Sequence, residues 1–110
     1  MPTATDFELL KTLTHEQAAQ YVGQTFRLMH KGESVAELEL VAAELLMPNR
    51  PRSSRMKRDP FSIYFTGPAE PFLPQGMQDL ECDAVTFAGI FLVPISKKED
   101  GTYEYEAVFT

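Results

Sequence analysis

From Thr25 onward the apolar positions recur at every second residue, the period of a strand with one buried face. In Thr25 to His30, Phe26 and Leu28 fall on one side and Arg27 and Met29 on the other. Lys31-Gly32-Glu33 follows as a turn centred on a permissive glycine. Val35 to Leu46 alternates in its first half, with Ala36, Leu38, Leu40 and Ala42 opposed to Glu37 and Glu39. Ala, Glu and Leu are also strong helix formers, and Leu38, Val41, Ala42 and Leu45 fit a helical stripe. The strand reading is preferred because the Gly32 turn joins this segment directly to the strand before it.

The later segments repeat the pattern. Phe61, Ile63 and Phe65 oppose Ser62 and Tyr64, and Gly67-Pro68 ends the run. A Pro-rich loop spans Pro68 to Gly76, with Phe72 and Leu73 near its tip. Met77 to Cys82 is a further strand. Thr86 to Ile95 is apolar on both faces, which places it centrally or beneath a covering element. Ser96 to Gly101 is a polar hairpin loop. In Thr102 to Phe109, Tyr103, Tyr105, Ala107 and Phe109 oppose Glu104, Glu106 and Val108.

Before the strands, Thr14 and Gln17 have the spacing of a capping box, predicting a short helix from His15 to Tyr21 that Gly23 ends. Its apolar side is Ala18, Tyr21 and Val22. Residues 1–13 show no period and read as a loose arm; residues 14–110 read as one domain. The expected fold is mainly β: about six antiparallel strands in a small barrel or sandwich, with one short N-terminal helix. Short sequential links favour antiparallel pairing, because parallel pairing needs a long crossover.

Composition fits this picture. The chain has 110 residues, 44% hydrophobic and 24% charged, enough for one folded core. The longest apolar run, Ala88 to Ile95, is far below the ~20 residues of a spanning helix. The start, with Asp6 and Glu8, lacks the pattern of a secretory signal. A single cysteine, Cys82, fits a reducing, cytoplasmic setting with no membrane association.

Charge changes the picture more. Residues 50–58 hold Arg50, Arg52, Arg55, Lys57 and Arg58 and no acid, a segment of +5; with a total of −6, the rest of the chain sums to −11. The segment lies in a long connection from Met47 to Pro60, where three prolines forbid a regular element over most of its length. Phosphate is one ligand for such a segment, but it lacks the interleaved aromatics that stack on bases. An acidic protein face, including one on another copy of this chain, is a better electrostatic match.

No set of residues forms a catalytic or cofactor motif. His15 and His30 have no ligand spacing. Cys82 sits between Glu81 and Asp83, whose charges disfavour a thiolate, so it reads as a small core filler. Glu99-Asp100 and Glu104/Glu106 read as solvated charge. No metal or cofactor is expected.

Four stretches together carry a resemblance. They are Phe61-Ser62-Ile63-Tyr64-Phe65-Thr66-Gly67-Pro68, Leu73-Pro74-Gln75-Gly76, Gly89-Ile90-Phe91-Leu92-Val93-Pro94-Ile95 and the closing Tyr105-Glu106-Ala107-Val108-Phe109. Over residues 25–110 the chain resembles an uncharacterised family of short bacterial proteins found near phage-tail-like collar proteins. The resemblance implies an accessory or structural part of such an assembly and supplies no catalytic residues. The expected function is thus a non-enzymatic interaction protein, with partner contacts at Arg50, Arg52, Arg55, Lys57, Arg58, Phe72 and Leu73. A nucleic-acid-binding regulator and a small-ligand-binding barrel are the alternatives.

Overall fold

The computed structural model describes residues 13–46 and 59–110. The loose arm and the five bases of residues 50–58 therefore lie outside the described residues, apart from Leu13, which is fully buried.

Among the described residues one helix and six strands follow in order: α1 (His15–Ala19), β1 (Thr25–His30), β2 (Glu33–Leu45), β3 (Phe61–Gly67), β4 (Gly76–Glu81), β5 (Thr86–Lys97) and β6 (Tyr103–Phe109). The strands close into a barrel in the order β1-β2-β3-β6-β5-β4, and β4 pairs back onto β1. Every neighbouring pair is antiparallel. Closure removes the exposed sheet edges that would otherwise template aggregation.

The capping box forms as the sequence predicts: the Thr14 hydroxyl accepts from the Gln17 N–H at 3.2 Å, and the Gln17 side chain accepts from the Thr14 N–H at 3.0 Å. The helix is shorter than expected, with turns continuing to Gly23. Ala18 is buried and Tyr21 packs edge-on to Phe87, but Val22 is exposed. At this length α1 depends on docking rather than on its own hydrogen bonds.

The segment open to a helical reading is a strand. Lys31 and Gly32 both take positive φ, 53° and 82°, the geometry of a tight hairpin turn between β1 and β2. Pairing along β1 then secures β2 in the extended state, a tertiary effect that overrides helix propensity.

β2 does not keep one register throughout. It shifts between Leu40 and Ala42, so that Leu40 pairs with Phe65 but Ala42 with Tyr64 and Ala43 with Ile63. Such a bulge reverses which residues face inward. Leu38 and Leu40 are buried before it; Ala43 and Leu45 pack on the core after it. The expected placement of Ala42 with Leu38 and Leu40 is therefore corrected: Ala42 and Glu44 face outward.

The interior is filled with rings and aliphatic chains. Phe26 stacks on Phe87 at 5.2 Å and meets Phe65 edge-on at 5.5 Å, joining β1, β5 and β3 across the barrel. Phe61 stacks on Phe109 at 4.9 Å. Leu80, Ile90, Leu92 and Tyr105 complete this layer. The doubly apolar β5 lies between β4 and β6, with Phe87, Ile90 and Leu92 buried, while Phe91 pairs outward with Met77 and is 47% exposed.

Strand direction sorts the connections. The β1–β2 hairpin, the β3–β4 loop and the β5–β6 hairpin share one end of the barrel; the ends of the β2–β3 connection and the β4–β5 turn share the other. The stem of the β2–β3 connection is closed by a bond from the Leu46 N–H to the Pro60 carbonyl at 3.0 Å.

Candidate functional site

Phe72 and Leu73, predicted together as a contact patch, behave differently. Leu73 is buried, and its N–H donates to the Tyr105 hydroxyl at 3.1 Å. Its side chain and backbone anchor the β3–β4 loop and present nothing to a partner. Phe72 is 48% exposed, with its ring against Tyr103 at 4.9 Å. Lys97 lies over the other partner of this group, its ammonium 5.7 Å from the Tyr103 ring centre. Arg50, Arg52, Arg55, Lys57 and Arg58 lie outside the described residues.

The outer face of β2, β3 and β6 holds a hollow that periodicity did not locate. Strand register sets its rows: Glu39 opposite Thr66 and Thr66 opposite Glu104; Ala42 opposite Tyr64 and Tyr64 opposite Glu106; Glu44 opposite Ser62. The β2 bulge is what turns Ala42 and Glu44 to this face. Because Ala42 is small, a hollow opens beside the Tyr64 ring. It has a volume of about 320 Å³ and is lined by Ala42, Glu44, Tyr64 and Glu104.

Charge in this hollow is uneven. Glu106 is engaged: it accepts from the fully buried Ser62 hydroxyl at 2.7 Å. The Tyr64 phenol is held above its ordinary value, first by burial and then by its hydrogen bond to the Glu106 carboxylate, with the charge of Glu44 adding to the effect. Glu44 and Glu104 have no cationic partner among the described residues. Lys98 donates to the Thr66 hydroxyl of this face at 3.3 Å. The arrangement is an aromatic ring flanked by two carboxylates. Carboxylates beside an aromatic ring are groups that can attract a cation, by ion pairing and by contact with the ring face. The acids of β6 stand on the outer face of the strand, as read from the sequence, with Glu104 at the hollow and Glu106 bonded to Ser62; the hollow itself was signalled only by the break in alternation after Leu40.

The other residues tested for chemistry have structural places. His15 places Nε2 3.0 Å from the Ala43 carbonyl and packs edge-on to Phe61. His30 is exposed where β1 ends. Cys82 is buried, and its N–H donates to the Val85 carbonyl at 2.9 Å. Asp100 is held below its ordinary value by hydrogen bonds from the Thr102 hydroxyl and N–H, so it serves the β5–β6 hairpin. Among the described residues no group of His, Cys, Asp and Glu is placed to hold a metal ion. Nor is any described helix long and apolar enough to cross a membrane.

Comparison with known proteins adds a family but no activity. No curated protein and no solved structure matches the chain. A family model, Domain of unknown function (DUF6916), matches residues 13–109, from the buried Leu13 to the last residue of β6, and the chain belongs to that uncharacterised family.

Proposed function

We propose that this chain is a non-enzymatic interaction protein of the cytoplasm, an accessory component of a phage-tail-like assembly. The observation that carries the interaction reading is the division between inside and outside. The barrel interior is occupied by Phe26, Phe65, Phe87 and their neighbours, whereas the distinctive chemistry lies on the outer surface. That chemistry comprises the hollow beside Tyr64, the exposed Phe72 and the exposed Met77–Phe91 pair. A filled interior favours surface recognition over a carrier whose ligand sits inside the barrel. The assembly setting rests on the family resemblance of the β3, β5 and β6 segments.

The test is cosedimentation of the tagged chain with tail-like particles purified from the host. Recovery at a fixed ratio to a structural subunit supports the proposal. A chain that stays in the supernatant, with particle formation unchanged when its gene is deleted, refutes it.

A further inference from the structure

The outer wall formed by β4, β5 and β6 breaks the rule that a strand's wet face is polar. Leu80, Ile90, Leu92, Ala107 and Phe109 point inward and are buried. Alternation therefore turns Met77 and Asp79 of β4, Phe91 and Val93 of β5, and Glu106 and Val108 of β6 outward. Met77 is paired with Phe91, and Val93 with Glu106; Val108 follows Glu106 on the same face. Met77 is 63% exposed, Phe91 47% and Val108 53%. Three large apolar side chains from three strands thus share one wall, and an exposed apolar patch with polar groups at its rim marks a contact surface.

A carboxylate stands on each flank of this patch. On β4, Asp79 accepts from the Gly89 N–H at 2.7 Å. On β6, Glu106 accepts from the Ser62 hydroxyl at 2.7 Å. Both donors are neutral, so they fix the carboxylates in place without offsetting a charge. Among the described residues neither carboxylate has a cationic partner. β4 and β6 contain no base, and β5 has only Lys97, at its last position and over the Tyr103 ring.

From this wall we infer a docking surface for a basic amphipathic segment of a partner protein, one that presents apolar side chains flanked by lysine or arginine. The inference rests on the interaction reading above and gives the partner its chemistry. Charge decides among the occupants. A second copy laying the same wall on this one would set Asp79 and Glu106 against like charges, in a chain of net charge −6. A phosphate-rich surface, lipid or nucleic acid, meets the same repulsion. A basic segment gains on both counts. Its apolar side chains remove Met77, Phe91 and Val108 from water, and its cations meet two carboxylates already held in position, which fixes its orientation. The unbranched Met77 side chain adapts to the apolar group placed against it.

Site-specific photo-crosslinking tests the inference. Benzoylphenylalanine replaces Phe91 in the full chain, expressed in the host, and the captured segments are sequenced by mass spectrometry. The same group in place of Val35, exposed on β2, is the control. Position 91 should give a discrete adduct that position 35 does not. The captured segment should combine apolar residues with lysine or arginine. Adduct yield should fall about tenfold with Asp79→Asn and Glu106→Gln together, and fall in high salt, as two largely exposed ion pairs require. Thermal melts confirm folding, and Asp79→Asn alone repeats the test without touching the Ser62 bond.

No adduct at position 91 above the control overturns the inference. So does an adduct to an acidic segment, to lipid or nucleic acid, or to another copy of this chain, and so does a yield indifferent to both neutralised variants. The broader reading fails separately. A basic apolar segment captured from a protein outside the tail-like particle would uphold the docking surface and count against the assembly setting. A chain that cosediments with particles but gives no adduct at position 91 would do the reverse.

Discussion

Replacing Tyr105 by Phe removes one oxygen atom from the barrel and leaves the ring that fills it. Tyr105 is only 1% exposed, and its hydroxyl accepts from the Leu73 N–H, itself in a buried setting. The variant leaves that N–H without a partner where water has little access. A buried donor left unsatisfied costs about 1–3 kcal/mol, more than the net worth of an ordinary hydrogen bond. For a domain of this size the melting temperature should fall by roughly 4–6 °C per kcal/mol lost. Urea denaturation is the direct assay: the midpoint should drop with an unchanged slope, since the surface exposed on unfolding is the same.

The pH dependence supplies a second readout. Burial holds the Tyr105 phenol above its ordinary value of 10.0, against the opposing hydrogen bond from the Leu73 N–H. The folded chain therefore keeps this proton to higher pH than the unfolded chain. The contribution is fully present below pH 10.0 and is lost as pH rises through the raised folded value. Wild type should lose stability in this alkaline window more steeply than Tyr105→Phe, while Tyr64, raised in the same direction, contributes equally to both. An unchanged urea midpoint together with identical alkaline profiles would refute the role given to this hydroxyl.

Two further substitutions separate packing from recognition. Leu73→Ala should cost about 2–4 kcal/mol by leaving a cavity, whereas Phe72→Ser, at an exposed position, should cost under about 1 kcal/mol; equal losses in urea melts would contradict the split between the two residues. Gly67→Ala places a methyl group 3.1 Å from the Tyr105 ring and 3.2 Å from Leu38. Tyr105 is held by its hydrogen bond and has little room to yield, so thermal melts should show a loss of about 1–3 kcal/mol, the ordinary cost of overpacking. A neutral or stabilising result would mean that the ring moves freely.

Much of this architecture was legible in the chain because it follows from local periodicity. The inward sets Phe26/Leu28, Phe61/Ile63/Phe65 and Tyr105/Ala107/Phe109 are readable at period two, since a strand with one wet face must alternate. The capping box was legible for the same reason: Thr14 and Gln17 satisfy each other's backbone within one turn. The contrast between five clustered bases and an acidic remainder also needs no coordinates.

Tertiary structure decided the rest. Periodicity could not distinguish strand from helix over 35–46; pairing with β1 and β3 did, because long-range hydrogen bonds outweigh the small propensity of Ala, Glu and Leu. Alternation could not locate the β2 bulge, which adds one residue and so exchanges inside for outside at Ala42. Nor could sequence separate Phe72 from Leu73, two adjacent apolar residues in a loop, until the Tyr105 hydroxyl was seen to hold one of them inside. The same limit applies to the hollow. Ala42, Glu44, Tyr64 and Glu104 come from three strands, and only barrel closure in the order β2-β3-β6 sets them side by side. Sequence thus fixed which residues a strand or a turn would suit, through interactions a few residues apart. The fold decided which distant carboxylates share a wall, because that depends on register between strands.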